Sequence, residues 1–472
     1  MIGEPTPPDP AGYWLREAAA IDHGGPCPAL NGDADADVLV VGGGYTGMWT
    51  AYFLTERDPA TRVALLEQNV CGGGPSGRNG GFVTGWWDEL PTLVARYGEA
   101  EALAACRALS RSIKAIGEWC ARYDLDAWFR HAGYLDVSTC QAQDGQWEDS
   151  VEFARRLGAR DEYIPLPAAA VAARCRSPVF RGGALMRDGA TVQPARLARG
   201  LRRVLLERGV RIYEGTPVLR FRAGPPVVAI TPGGLVRADS AVLAPGAWGA
   251  RWPGLGRSLA IWGSYIVITE PAPDRLADIG WTRGECITDS RTSVHYFRTT
   301  PDGRIAFGGG GGRAAWGARI TAEYWSDRTS IKRAEGGFRR MFPSFHGVRL
   351  EDAWGGPIDV AGRHLPYFRT LAPGNIHVGL GYSGNGVGPS HLGGQILAAL
   401  VSGIEDEVTT LPIVNREPAR FPPEPLRSIG ARLVREAVVR KERREEEGLR
   451  VPPLTGLVAR LPRRFGYDLG PE

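Results

Sequence analysis

An α/β fold, α+β overall, is predicted: one domain on a parallel sheet built from separated stretches of chain, and a second on a mixed or antiparallel sheet. Three observations predict it. The first is a strand–glycine turn–helix–strand–acid order at residues 37–67. Asp37 to Val41 is a short Val/Leu run, as expected of a strand buried on both faces. Gly42 permits a tight turn, Gly44 clears the backbone for a pyrophosphate, and Gly47 lets the following helix pack against the strand. That helix, about 45–56, aims free N–H groups and a positive dipole end at the same place. Glu67 ends the next strand, where a carboxylate binds a ribose hydroxyl pair. The unit is thus Rossmann-like. The second observation is the alternating segments 265–269, 293–297 and 304–307, which read as a separate sheet. The third is a late strand and glycine turn at 377–388 leading into a helix at 390–402, the return of the chain to the first domain.

In chain order, residues 1–36 read as an irregular lead-in anchored by Tyr13, Trp14 and Leu15. After Glu67 comes a loop dense in glycine, 71–81, where backbone can run against a ligand. Between 90 and 160 apolar residues recur at helical spacing (Ala102, Ala105, Leu109, Ile113, Ile116), with a short strand at Leu135 to Val137. A helix follows Pro194, with Leu197, Leu201, Val204 and Leu205 on one face and Gly209 at its end. Strands fit 210–213, 218–222 and 241–244, the last running into Pro245, Gly246, Ala247 and Trp248. The tail from 426 to 448 is a charged helix whose stripe of Ile429, Leu433, Val434, Ala437 and Val438 packs on the body. The expected partition is a nucleotide domain at 37–90, 165–250 and 350–420, a substrate domain at 91–164 and 251–349, and a C-terminal helix and tail at 421–472.

The 472 residues carry 56 basic and 52 acidic side chains, a net +4 too balanced to argue for nucleic acid or a membrane surface as partner. Only Lys114, Lys332 and Lys441 are lysines, so a role that needs one has three candidates. Seven scattered cysteines without CxxC spacing suit a reducing, cytoplasmic location and argue against a zinc site; no metal is expected. No apolar run reaches spanning length.

One glycine fingerprint leaves NAD and FAD open. The second glycine loop, directly after the ribose acid, favours FAD, whose ring needs close backbone N–H groups around it. Residues 77–81 and 384–388 are able to supply them.

The chain resembles the D-amino-acid oxidase (DAO) superfamily of FAD enzymes, which includes glycine oxidase and sarcosine oxidase, and most of all its gamma-glutamylputrescine-oxidase-like branch. The resemblance rests on 41–47 with Glu67, 76–81, 192–194, 269–271 with 296–298, and 354–356 with 381–386. It implies an FAD domain in three pieces under a substrate sheet. It also implies amine or amino-acid oxidation by hydride transfer to flavin N5, hydrolysis of the imine to an aldehyde or keto product, and reoxidation by O2 to give peroxide. By position, Gly42, Gly44, Thr46 and Gly47 hold the pyrophosphate and Glu67 the ribose. Arg78, Asn79, Gly80 and Gly81 lie near the ring, Val218 meets the adenine, and Ala244 and Gly246 line the cofactor. Gly384, Asn385, Gly386 and Val387 meet the pyrimidine edge. Tyr45, Gln68, Gly77, Trp248 and Gly381 flank these and join the cofactor set.

Some members of the superfamily tether the flavin through a Cys near the segment that here reads 353–356; none is present, so FAD is expected to be non-covalent. Others place a Lys over the ring for O2, where this chain reads Arg304 to Phe307, so the electron acceptor, O2 or another, stays open. For substrate, Arg298 is the candidate carboxylate binder. Tyr265, His295 and Tyr296 are candidate pocket residues, as are Trp86 and Trp87, and His364 is a candidate base. Fold alone leaves two rivals to amine oxidation: a flavin dehydrogenase of a non-amine substrate, and a flavin-binding redox or partner protein without turnover.

Overall fold

A computed structural model describes residues 11–22 and 24–468; the parts of the lead-in and tail at 1–10, 23 and 469–472 lie outside the described residues. The first sheet has eight strands. Its parallel centre runs Ile376–Leu380, Gly234–Leu243, Ala34–Val41, Val63–Leu66, Arg211–Tyr213. Successive residues of Ala34–Val41 enter different cores: Val38 and Val40 join one cluster, Leu39 and Val41 the other. That explains the unbroken apolar run, since a strand covered on both faces has no polar side. Helices Tyr45–Arg57 and Val387–Val401 pack on each other, and Pro194–Glu207 packs on the first of them.

The second sheet, also eight-stranded, is mixed. All its pairings are antiparallel except that of Cys286–Asp289 with Tyr134–Val137. Strands Tyr163–Leu166, Gly183–Met186 and Leu350–Ala361 belong to this sheet. Its membership therefore extends beyond the expected limits at 165 and 350, because those strands complete their hydrogen bonding only against it.

Two terminal expectations change. The lead-in is not irregular throughout. Tyr13–Ile21 is a helix, with Trp14 and Ala18, one turn apart, both buried. Trp14 lies edge-on to Trp354 and Trp128, and its carbonyl accepts from the Gln193 side chain at 2.9 Å. The tail helix, Leu426–Glu446, buries Val434, Ala437 and Val438 but leaves Ile429 and Leu433 43% and 61% exposed. The face that docks is set by Glu442, one turn beyond Val438, which is 4% exposed. Its carboxylate accepts from the Ser293 N–H at 2.8 Å, from the Ser293 hydroxyl, and from Arg291 at 2.9 Å. A buried carboxylate needs such partners, so they override the simple apolar stripe. Among the described residues no helix is long and apolar enough to cross a membrane.

Candidate functional site

The strand Ala34–Val41 ends at Gly42, whose φ is +111°; a Cβ there would fall 2.3 Å from the Ala244 carbonyl oxygen. Glycine is required by both the dihedral and the space. Gly47 is required by space: a Cβ would stand 2.0 Å from the Gly42 carbonyl oxygen. Gly44 is the N-cap of the next helix and has no side chain of its own; the Tyr45 N–H donates to the Ser76 hydroxyl at 2.9 Å, and the positive end of the helix dipole still suits an anion. The Glu67 carboxylate accepts the N–H of Gly43 at 2.8 Å and of Asn69 at 2.9 Å. Burial pushes its pKa up, against the pull of those two N–H groups. Thr46 donates to the Tyr382 hydroxyl at 2.7 Å, tying the first glycine turn to the last. The Tyr45 side chain turns inward and donates to the Pro194 carbonyl at 2.7 Å.

The loop after Glu67 is held by its own polar groups. Asn79 donates to the Ser76 carbonyl at 2.9 Å and accepts the Gly81 N–H at 2.7 Å. Arg78 donates to the Gly73 carbonyl at 2.7 Å, lies 5.1 Å over Trp325, and accepts at its carbonyl from the Trp354 indole at 2.8 Å.

These parts enclose a cavity of about 770 Å³. On its wall stand Gly42, Gly44, Tyr45, Thr46, Glu67, Gln68, Arg78, Asn79, Val218, Ala244, Gly246, Trp248, Gly384, Gly386 and Val387. Gly80 and Asn385 line an adjoining cavity of about 330 Å³. The two share Pro75, Arg78, Asn79, Ile358, Tyr382, Gly384 and Val387. Gly47, Gly77, Gly81 and Gly381 are on neither wall. They stand behind it, where backbones cross: a Cβ on Gly77 would meet the Gly72 carbonyl oxygen at 2.3 Å, and one on Gly81 the Val192 carbonyl oxygen at 2.0 Å. Gly381 gives its N–H to Asp359 at 2.6 Å.

The smaller cavity lies against the second sheet. Tyr296 lines it, with its hydroxyl 2.8 Å from Ser264. Trp86 and His364 line it too, whereas Trp87 is packed inside with its indole N–H on Ser110 at 3.0 Å. His364 has φ +60°, its Nδ1 is buried without a hydrogen-bond partner among the described residues, and burial lowers its pKa.

Three candidates are elsewhere. Tyr265 is fully buried and donates to the Glu323 carbonyl at 2.7 Å, because its strand turns Ser264 and Ile266, not Tyr265, toward the cavity. Arg298 is 1% exposed and holds the carbonyls of Thr299, at 3.1 Å, and Val192. It sits on the cavity face of its strand but beyond the cavity's end, and burial pushes its pKa down to about 10. His295 packs against Asp289 at 2.7 Å. Asp289, His295 and Glu446 bring ligand-type atoms within 4.8 Å of one another, but the Arg291 guanidinium is the cation there, 3.2 Å from His295 and 3.0 Å from Glu446. Arg298→Met is accordingly expected to lower the melting temperature and leave KM for a carboxylate substrate within twofold, checked by thermal melts and steady-state kinetics; about a tenfold rise in KM would return Arg298 to the site.

Two groups on the wall were not anticipated. Asp88 and Glu89 line the cavity, and one Asp88 oxygen is buried without a partner among the described residues. Burial raises the pKa of both carboxyls, and the charge of Asp88 raises that of Glu89 further. An acid pair directly after two tryptophans was the available signal. The tail helix supplies Val434, Arg435, Val438 and Val439, and nothing local in its sequence points to that.

A backbone-lined slot at the carboxyl ends of parallel strands, joined to a chamber under a second sheet, defines a two-domain dinucleotide-dependent redox enzyme. The chain belongs to the DAO family, FAD dependent oxidoreductase, whose pattern matches residues 37–400. It is 30% identical over 389 residues to gamma-glutamylputrescine oxidoreductase of Escherichia coli (strain K12), spanning 82% of this chain and 88% of that one. It is 29% identical over 423 residues to the probable oxidoreductase OrdL of Rhizobium meliloti (strain 1021), spanning 86% and 92%. The crystal structure of glycine oxidase from Geobacillus kaustophilus superposes with a TM-score of 0.66 at 20% identity, covering 79% of this chain and 96% of that one. The cofactor is FAD, and the slot fits it: the Cβ-intolerant turn at Gly42, the N-terminal end of the helix Tyr45–Arg57 and Glu67 stand together on one wall.

Glu67→Ala is expected to weaken FAD binding about tenfold to a hundredfold, the worth of a charged hydrogen bond at about 1.5–3 kcal/mol. Titration of the apoprotein with FAD checks this, and wild-type affinity would remove Glu67 from the ribose role.

Proposed function

We propose that this enzyme oxidises an amine at the carbon next to nitrogen. What supports this reading above the others is the acid pair Asp88 and Glu89 on the chamber wall, together with the name of the Escherichia coli relative. An amine arrives as an ammonium ion, which the ionised member of the acid pair attracts. It must shed a proton before its C–H bond becomes a good hydride donor. Carboxyls whose proton affinity burial has raised are suited to take that proton, whereas burial disfavours a protonated His364 and makes it the weaker acceptor. FAD supplies a two-electron acceptor, N5 of its ring, when bound. Tyr296 and Ser264 orient the substrate beneath the sheet, and the apolar walls, Trp86 and Ile358 among them, exclude water. Gly384 and Val387 form the floor shared with the cofactor slot. The imine product hydrolyses to an aldehyde or ketone.

We read FAD as non-covalently held, since Cys71, beside Glu67, is the only cysteine among the described wall residues. O2 is the proposed acceptor. A dehydrogenase is the second reading, because none of the three lysines is on either wall. Anaerobic bleaching of the yellow flavin band by an amine supports the proposal, and peroxide on readmitting air settles the acceptor. Bleaching by hydroxy acids or aldehydes alone sinks it in favour of a non-amine dehydrogenase, and no bleaching by any substrate favours a redox partner protein.

A further inference from the structure

The helix Leu426–Glu446 lies beyond the family match, which ends at residue 400, yet it forms part of the substrate chamber. We propose that Arg435, carried on this helix, anchors a carboxylate at the end of the substrate remote from the reacting nitrogen. The substrates would then be amines with an apolar spacer and a distal carboxylate. This deepens the proposed amine oxidation and rests on it.

Three arginines line the chamber. Arg78 is engaged in the cofactor loop, on the Gly73 carbonyl and over Trp325. Arg291 is neutralised by two carboxylates, Glu442 at 2.9 Å and Glu446 at 3.0 Å. Arg435 differs. Its Nε donates to the carbonyls of Gly311 at 2.9 Å and Gly312 at 2.6 Å, which fix the guanidinium plane. Its carboxylate partner is the adjacent Glu436, whose side chain is 70% exposed, and so solvated a pair offsets little of the charge. Arg333 donates to the same Gly311 carbonyl at 3.2 Å and to the Ser330 hydroxyl at 3.3 Å, with no carboxylate within ion-pair distance among the described residues. Burial and the nearby charge of Arg435 both push its pKa down. Two guanidinium groups thus converge on one carbonyl, leaving positive charge in excess beside the cavity.

A planar guanidinium with a fixed edge matches a carboxylate by two parallel hydrogen bonds. Val434, Val438 and Val439 stand on the same helix as Arg435 and present an apolar wall suited to methylene groups. The acid pair Asp88 and Glu89, on a different segment, provides for the nitrogen. The chamber therefore carries opposite charges on separate segments, as a zwitterionic chain requires.

The test compares two primary amines of equal chain length, one ending in a carboxylate and one in a methyl group, on wild type, Arg435→Gln and Arg435→Lys. The expected result is a wild-type preference in kcat/KM for the carboxylate. The ratio of the two kcat/KM values falls about tenfold to a hundredfold in Arg435→Gln and partly recovers in Arg435→Lys, with flavin content per chain as in wild type. A wild type that bleaches with both amines and shows no preference overturns the assignment and leaves amine oxidation standing. An equal loss on both amines in the Gln variant marks Arg435 as a brace for the Gly311 loop and overturns it too. If neither these nor other amines bleach the wild-type flavin, both readings fall together.

Discussion

Gly42→Ala is expected to yield a chain that purifies without FAD. Its φ of +111° is closed to side chains other than hydrogen, and the added carbon would stand 2.3 Å from the Ala244 carbonyl. Holding an L residue in such backbone costs about 1–3 kcal/mol. The contact adds to that and is relieved by parting the ends of the strands Ala34–Val41 and Gly234–Leu243, which lead directly into Gly42 and Ala244. Either adjustment moves the turn that faces the pyrophosphate. Affinity for FAD should fall at least tenfold, read from the flavin-to-protein absorbance ratio and from titration of the apoprotein. A variant as yellow as wild type would show that the turn is not the grip.

Removing Glu442 is expected to be the most damaging change in the tail. The carboxylate is almost wholly buried, it completes the Ser293 N–H, and it faces the buried Arg291 guanidinium. Breaking a buried ion pair from one side costs about 3–5 kcal/mol, because the remaining charge keeps its desolvation penalty. Glu446 still holds Arg291, which places Glu442→Ala toward the lower end of that range. The melting temperature should drop, the helix Leu426–Glu446 should become a site of early proteolysis, and KM should rise as Val434 and Val438 leave the chamber wall. FAD content should hold, since the helix does not line the larger cavity. Glu442→Gln, which keeps an acceptor for Ser293, should lose less. Wild-type melting and proteolysis in the Ala variant would show that Glu442 does not hold this helix to the body.

The two kinds of residue, cofactor and substrate, differed in how far the sequence revealed them. The glycine turn at 42–47 is dictated by local stereochemistry, so composition and spacing disclose it. Substrate residues obey a period of two along strands, which tells who shares a face but not which face meets the cavity. Tyr265 failed on that point, since Ser264 and Ile266 have the productive parity. Arg298 shares its parity with Tyr296 and failed for another reason: the cavity stops short of it. Val434 and Arg435 reach the chamber through Glu442, whose partner Ser293 is 149 residues away, and no local pattern encodes such a meeting.

The bond between Thr46 and the Tyr382 hydroxyl has a consequence for biosynthesis. The turn that begins the cofactor slot is made early by the ribosome, but its floor, Gly384, Gly386 and Val387, and the neighbouring parallel strand Ile376–Leu380 are made some 330 residues later. A nascent chain holds only half a socket. Loading with flavin is thus an event of the nearly finished polypeptide, and translation must run ahead of it while the unfilled first half waits.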